Sequence, residues 1–173
     1  MPEGGDNFAI APLAKSHDRA GFDCGVVKID NYLTITALQE QKKNLMRVFV
    51  ATNPDCPRVI GFYTLTFIVW TPEQVEGEAQ HKFIKSGAAM PTIYLPKIGV
   101  RLADSGNGCG RQLMRDAFQR SIAIADHAAI STLTLEAIDE EKAGWYESLG
   151  FQRFAPGDLR MAISLKTLRQ MAR

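Results

Sequence analysis

Three glycines in five residues, Gly106, Gly108 and Gly110, follow an apolar, strand-like run from Ile93 to Val100. They precede a helix-like pattern with Leu113, Met114, Ala117 and Phe118 on one face. Glycine has no Cβ, so such a loop leaves a run of backbone N–H groups open to a ligand. At a helix N-terminus those donors act together with the macrodipole, and both favour negative charge. The chemistry is main-chain capture of a phosphate or pyrophosphate without a metal, which points to a phosphorylated cofactor. On this loop alone, a turn that merely joins strand to helix is the alternative. The spacing excludes two other cradles. A Walker loop needs Gly-x-x-x-x-Gly-Lys-Ser/Thr, whereas Gly110 is followed by Arg111 and Gln112. A dinucleotide fingerprint needs Gly-x-Gly-x-x-Gly, and its third glycine would fall at Arg111.

A second block lies downstream. Thr132–Ala137 reads as a strand, Asp139 as a helix N-cap, and Trp145-Tyr146-Glu147-Ser148-Leu149-Gly150-Phe151 as a helix end closed by a C′ glycine and an apolar residue. Strand, glycine loop, helix, strand and a short helix ending in Tyr-x-x-x-Gly-Phe resemble the GNAT superfamily of N-acetyltransferases. Its loop signature, Gln/Arg-x-x-Gly-x-Gly/Ala, cradles the acetyl-CoA pyrophosphate. Here Ser105-Gly106-Asn107-Gly108-Cys109-Gly110 carries both glycines, with Ser105 in place of the usual Gln or Arg.

Further blocks extend the resemblance. They are Gly21-Phe22-Asp23-Cys24-Gly25, Ile29-Asp30-Asn31-Tyr32-Leu33, Gly61-Phe62-Tyr63-Thr64-Leu65 and Lys97-Ile98-Gly99-Val100. They are similar to those of the acetyltransferase toxins of bacterial toxin–antitoxin pairs, which acetylate the amino group of aminoacyl-tRNA. The blocks span about residues 10 to 155. Departures from that pattern are Lys97 for Arg, Gly99 for Ala and Lys142 for Ala.

The resemblance implies acetyl-CoA as cofactor, with no metal. It places the cofactor on Ile98, Gly99, Val100, Ser105, Gly106, Asn107, Gly108, Cys109, Gly110 and Arg111. A main-chain N–H near Ile98 or Gly99 would polarise the thioester oxygen. Asp139 stands where many relatives have an asparagine near the cofactor; helix capping is its other reading. Tyr146 is the implied general acid, protonating the leaving thiolate, since a tyrosine with a pKa of about 10 keeps its proton at neutral pH. Packing beside Trp145 is the alternative. No general base stands out among Glu136, Asp139 and Glu140. A ribbon-helix-helix antitoxin, aminoacyl-tRNA and a second copy of the chain are the implied partners. The other functions left open are acetylation of a small amine, protein N-terminus or lysine, and CoA binding without turnover.

Composition sets bounds on all of this. The chain has 173 residues, 46% hydrophobic and 23% charged, in the range of one soluble globular domain spanning residues 1–173. Cys24, Cys56 and Cys109 are odd in number and form no C-x-x-C, which argues against a disulfide frame or zinc site. Met1–Asp6 has neither a basic nor an apolar signal region, and Pro72 and threonines break the longest apolar stretch, so the expected location is cytoplasmic, off the membrane. The net charge of +1 excludes a broadly basic RNA-binding surface, leaving only local patches. Lys42, Lys43 and Arg47 form one candidate; Arg160, Lys166, Arg169 and Arg173 form another.

The elements that must position these groups follow from periodicity and turn signals. Strands are expected at Phe8–Leu13, Met46–Asn53, Val59–Val69, Ile93–Arg101, Ser131–Ala137 and Arg160–Ser164. Helices are expected at Val26–Gln41, with Val27, Leu33, Ala37 and Leu38 inward, and at Cys109–Ala125 and Glu140–Leu149. Thr71–Met90, with Glu73, Glu76, Glu78, Gly77 and Gly87, reads as a loop or short helix over the active site. The fold class is α/β (α+β), a mixed, mainly antiparallel sheet flanked by helices.

Overall fold

Ala9–Pro12 forms β1, at the edge of a sheet, and a helical region comes next. Val27–Asn31 is α1, Tyr32–Thr36 a π-helical turn and Ala37–Lys42 α2. The expected single helix is thus present with one wide turn inserted. Arg19 accounts for the insertion locally. Its guanidinium donates to the Leu33 and Thr34 carbonyls at 3.0 and 3.3 Å, while the Thr34 hydroxyl donates to the Asp30 carbonyl at 2.9 Å. Side chains drawn into the helical ladder in this way favour a π turn. The turn buries Tyr32 and Leu33, neighbours in sequence, together. Val27 does not join them and is 72% exposed. It lies two residues from the inward Ile29, about 200° of helix rotation, on the opposite face.

The structure, a computed structural model, describes residues 8–75, 77–84 and 88–173. Met1–Asp6, Glu76 and Gly87 lie outside the described residues. The chain divides into two units, Met1–Thr66 with Pro96–Ala117, and Phe67–Leu95 with Phe118–Arg173.

In the first unit β2 (Arg47–Thr52) pairs antiparallel with β1 and with β3 (Val59–Trp70), which runs on into the second unit. Val48–Thr52 is buried without interruption, the pattern of a strand covered on both faces. The core of this unit joins Leu13, Phe22, Leu33, Val48, Val50 and Phe62, with Cys24 and Ile29 packed against it.

In the second unit a 3-10 turn, Pro72–Gln74, and α3 (Glu78–Phe83) lead to β4 (Met90–Tyr94). Phe83 and Ile84 pack with Trp70, Val75, Met90, Phe154 and Ala162, and Lys82 hydrogen-bonds Gln152, so this stretch is tied into a core of its own.

The expected strand Ile93–Arg101 is two strands, β4 and β5 (Ile98–Val100), separated by Leu95-Pro96-Lys97. Pro96 has no N–H to continue the ladder that the Leu95 N–H ends on the Thr134 carbonyl at 3.0 Å. The next amide, Lys97 N–H, donates to the Thr64 hydroxyl at 3.1 Å and leads the chain into its pairing with β3.

A 3-10 turn, Leu102–Asp104, precedes α4, which spans Cys109–Ala125 as the periodicity predicts. β6 (Thr132–Glu136), α5 (Glu140–Ser148), β7 (Gln152–Arg153), β8 (Arg160–Ser164) and α6 (Leu165–Met171) complete the chain. The strand order is β1-β2-β3-β4-β6-β8-β7, with β5 bonded to β3 off that path. β4 and β6 are parallel and the other registered pairs antiparallel.

Candidate cofactor and active site

Register decides which backbone groups of β5 are available. Ile98 lies opposite Tyr63, Gly99 opposite Phe62 and Val100 opposite Gly61. The Thr64 N–H donates to the Lys97 carbonyl at 2.9 Å, and the Arg101 N–H to the Ile60 carbonyl at 2.8 Å. Lys97, Gly99 and Arg101 therefore turn their backbone groups toward β3, and the intervening residues turn theirs away. The N–H and C=O of Ile98 and Val100 line an edge to which no named strand is bonded. Of the two candidate donors to a thioester oxygen, only Ile98 offers its N–H to that edge; the Gly99 N–H is directed at β3.

The glycine loop continues from this edge. The Ser105 N–H closes on the Leu102 carbonyl at 3.2 Å. Gly106 and Gly108 then take φ of +85° and +80°, a region that disfavours any side chain. Residues Ser105 to Gly108 are exposed. The first bond of α4 runs from the Gln112 N–H to the Gly108 carbonyl at 3.1 Å, which leaves the N–H groups of Cys109, Gly110 and Arg111 as the unsatisfied donors of a helix start. A Cβ built on Gly106 or Gly108 meets nothing within 4 Å, so the space over the loop is open. These residues fit acetyl-CoA, with a row of main-chain donors for the diphosphate and a free strand edge for the amides of the pantetheine arm.

Two contacts hold α4 in register with the strands. Gly61 lacks the side chain whose Cβ would stand 3.0 Å from Cys109 Sγ and Leu113 Cδ1 and 3.1 Å from the Gly99 carbonyl oxygen, so the first turn of α4 lies directly on β3. The fully buried Tyr63 donates its hydroxyl to Asp116 Oδ2 at 2.5 Å.

The Phe22-Asp23-Cys24-Gly25 block fastens the entry to α1. Asp23 Oδ1 accepts from the Gly25 N–H and Asp30 Oδ1 from the Cys24 N–H, both at 2.9 Å. The Asp23 carbonyl accepts from the Leu102 N–H at 2.9 Å, just ahead of the glycine loop. Burial, with a smaller contribution from the Asp30 hydrogen bond, pushes the Cys24 thiol up to about 11. Burial, with Asp104, pushes Cys109 up to about 12. Both thiols are thereby held in the protonated form at neutral pH, the character of packing cysteines.

Cys24 also explains the glycine at position 99. A Cβ there would stand 3.2 Å from Cys24 Sγ and from Ile29 Cγ2. Gly99→Ala is expected to destabilise the protein by about 1 kcal/mol, and Cys24→Ala in the same chain to recover part of that loss. Denaturant melts of the two single variants and the double variant measure the coupling; strictly additive effects would refute it.

Tyr146 and Asp139 belong to the second unit. Tyr146 is 6% exposed, its ring 5.1 Å from that of Trp145 and 5.8 Å from that of Phe151. Burial raises its pKa above the ordinary tyrosine value, so its proton is retained at any physiological pH. Asp139 is the N-cap of α5, its carboxylate accepting from the Lys142 N–H at 2.8 Å. Glu140 is gripped by Arg153, with contacts of 2.8 and 3.1 Å, and Arg153 also holds Glu147 at 2.5 Å. That grip lowers the pKa of Glu140, which suits it poorly to accept a proton from an amine.

Lys42, Lys43 and Arg47 are exposed together where α2 ends and β2 begins, with Arg47 bonded to Asn44 Oδ1 at 2.9 Å. The C-terminal basic candidates fare differently. Arg160 binds both Asp158 oxygens, donates to the Gln74 carbonyl at 2.7 Å and lies 5.7 Å from the Trp70 ring and 5.3 Å from that of Phe154. Arg169 is paired with Asp126 at 2.8 Å. Both are engaged within the second unit, whereas Lys166 and Arg173 are exposed and make no such ties among the described residues.

No family model matches the chain. It is 32% identical to "Probable toxin TacT" of Sinorhizobium fredii, over 94% of this chain and 93% of that protein. It is 24% identical to the "tRNA-acetylating toxin" of Mycobacterium tuberculosis, over 92% and 93% of the two chains. Its fold matches that of the toxin AtaT in two solved complexes. In one, a tyrosine-to-phenylalanine mutant of AtaT is bound to the C-terminus of the antitoxin AtaR and acetyl-CoA (TM-score 0.79, 20% identity, 96% of this chain and 98% of that one). In the other, AtaT is complexed with acetyl-methionyl-tRNAfMet (TM-score 0.84, 20% identity, 96% and 100%).

Proposed function

Since the chain belongs to the TacT family of GNAT-fold acetyltransferase toxins, we propose that it transfers an acetyl group from acetyl-CoA to the amino group of aminoacyl-tRNA and so blocks translation. The observation that carries the reading is the unpaired edge at Ile98 and Val100 leading into the glycine loop, with its unsatisfied N–H groups.

Bound acetyl-CoA supplies the acyl group as a thioester. The N–H groups from Asn107 to Arg111 hold its diphosphate, and the Ile98 N–H faces the carbonyl oxygen on which negative charge develops. Tyr146 keeps a proton on Oη and yields it to the leaving sulfur. Asp139 contributes by shaping the start of α5. An α-amino group has a pKa of about 7.7–8.0 and is partly unprotonated at neutral pH, so it attacks without a strong protein base, and the proton its nitrogen sheds as the amide forms passes to solvent water.

The charge of +1 confines RNA contacts to a patch, and Lys42, Lys43 and Arg47 supply it. Changing all three to Glu is expected to weaken tRNA acetylation about tenfold or more, and to lower the salt slope by roughly one for each phosphate no longer neutralised. Acetylation of a small primary amine should be unaffected. Unchanged tRNA acetylation would move the acceptor site elsewhere or favour a small-amine substrate.

A ribbon-helix-helix antitoxin holds the toxin in check, and the active species is a homodimer in the cytoplasm, where its tRNA substrate resides. Among the described residues no helix is long and apolar enough to cross a membrane. The chain passes between its two units after Thr66, Leu95 and Ala117; neither unit is one continuous segment, which supports a single domain over residues 1–173.

Induction of the protein with and without its neighbouring antitoxin gene, followed by mass spectrometry of aminoacyl-tRNA, tests the function. Acetyl groups on the amino acid, suppressed by the antitoxin, are expected. Their absence, alongside acetylation of small amines, would overturn the assignment.

A further inference from the structure

Lys97 brings an ammonium into the first unit that neither cofactor binding nor proton transfer uses. Its Nζ lies 4.3 Å from the centroid of the Tyr32 ring, which belongs to the π turn and is 7% exposed. The same ring stacks on Phe62 of β3, with centroids 6.3 Å apart at 17°. Glu40 of α2 stands beside them; burial first, and then the interaction with the Glu40 carboxylate, raise the pKa of the Tyr32 hydroxyl. Burial lowers the Lys97 pKa, Glu40 opposes that shift, and Lys28 adds to it. A half-buried ammonium carries a desolvation penalty that an unbranched apolar side chain of similar length would avoid. The charge therefore calls for a role beyond filling space.

The backbone of Lys97 suggests that role. Its carbonyl accepts from the Thr64 N–H at 2.9 Å, and its N–H donates to the Thr64 hydroxyl at 3.1 Å. The Lys97 carbonyl and the Ile98 N–H are two ends of one peptide group. A hydrogen bond received at the carbonyl polarises that group and strengthens the N–H as a donor. The orientation of the peptide depends on what holds Lys97 on either side: Thr64 through the main chain, and Tyr32 through the ammonium.

We propose that Lys97 is a positioning residue for acyl transfer: its ammonium over the Tyr32 ring, beside Glu40, pins the π turn to β5 and fixes the peptide whose N–H, at Ile98, faces the thioester oxygen. This rests on β5 being the strand that receives the thioester. Arginine at this position keeps the cation over the ring, whereas methionine keeps the length and removes the charge.

Steady-state acetylation by Lys97→Met and Lys97→Arg, with calorimetry of acetyl-CoA binding and thermal melts of the same samples, tests the assignment. Lys97→Met is expected to lose about tenfold or more in kcat, because a donor to the developing oxyanion acts in the transition state. Its acetyl-CoA affinity and melting temperature should stay near the wild-type values, and Lys97→Arg should recover most of the rate. Wild-type turnover in Lys97→Met would overturn the proposal. So would equal losses in both variants, or a rate loss that tracks lowered affinity or stability. The same split is read with a model primary amine as acceptor, so failure of the tRNA reading would leave the Lys97 test intact.

Discussion

Gly108→Val is expected to abolish acetyl-CoA binding in calorimetry while the chain still folds. Gly108 has a φ of +80°, where a β-branched residue is strained by roughly 1–3 kcal/mol. That strain is tolerable in an ordinary domain, and a Cβ at this position meets no heavy atom within 4 Å outside its chain neighbours. The damage falls on the ligand. The valine would occupy the open space over the glycine loop, which a diphosphate held by that loop must enter. A loss of at least about 100-fold in affinity follows if both strain and obstruction oppose binding, since every 1.4 kcal/mol is tenfold. Affinity within a few-fold of wild type would show that the diphosphate is held elsewhere.

Tyr146→Phe should give the opposite pattern, with intact binding and lost turnover. The ring contacts with Trp145 and Phe151 survive in phenylalanine, and among the described residues no hydrogen bond to the hydroxyl would be broken. Stability and acetyl-CoA affinity are therefore expected to hold, while kcat falls by about 10²-fold or more, the loss typical of a missing general acid. Burial raises the pKa of this tyrosine, so the proton is present throughout the neutral range, and Tyr146 should contribute no alkaline fall to the pH–rate profile below its ordinary value of about 10. Full activity in the variant would leave the tyrosine as packing alone.

Local chemistry is legible in the sequence where one interaction dominates. The glycine loop and the periodicity after it predict α4 to its observed bounds, because helix spacing and a helix-start loop reinforce one another. Arg160–Ser164 is likewise a strand as expected. The central strand reads as one element because Ile93-Tyr94-Leu95 and Ile98 are apolar on both sides of Pro96, and hydrophobicity conceals a missing N–H. The π turn depends on Arg19, which lies more than a dozen residues from the carbonyls it binds, a separation no periodic pattern reports. α6 escapes a reading by periodicity although Ser164 caps it through the Thr167 N–H at 3.0 Å; the apolar strand before it hides the boundary.

The site shows the same division. The glycine loop is a local motif and can be read from its sequence, whereas which of Ile98 and Gly99 keeps its N–H clear of β3 depends on strand pairing. Arg160 looks like a surface cation in the sequence because its partners, Asp158, Gln74, Trp70 and Phe154, converge only in three dimensions. Charge counting cannot tell a free arginine from one already engaged.

An unpaired strand edge also invites adhesion, since the main-chain groups that recognise a ligand amide recognise any other extended peptide equally well. β5 limits that hazard by being short. It offers three residues, bounded by Pro96 on one side and the Leu102–Asp104 turn on the other. An intruding chain would find too few rungs to build on. Brevity of the edge thus lowers the hazard of strand-to-strand association in the free protein.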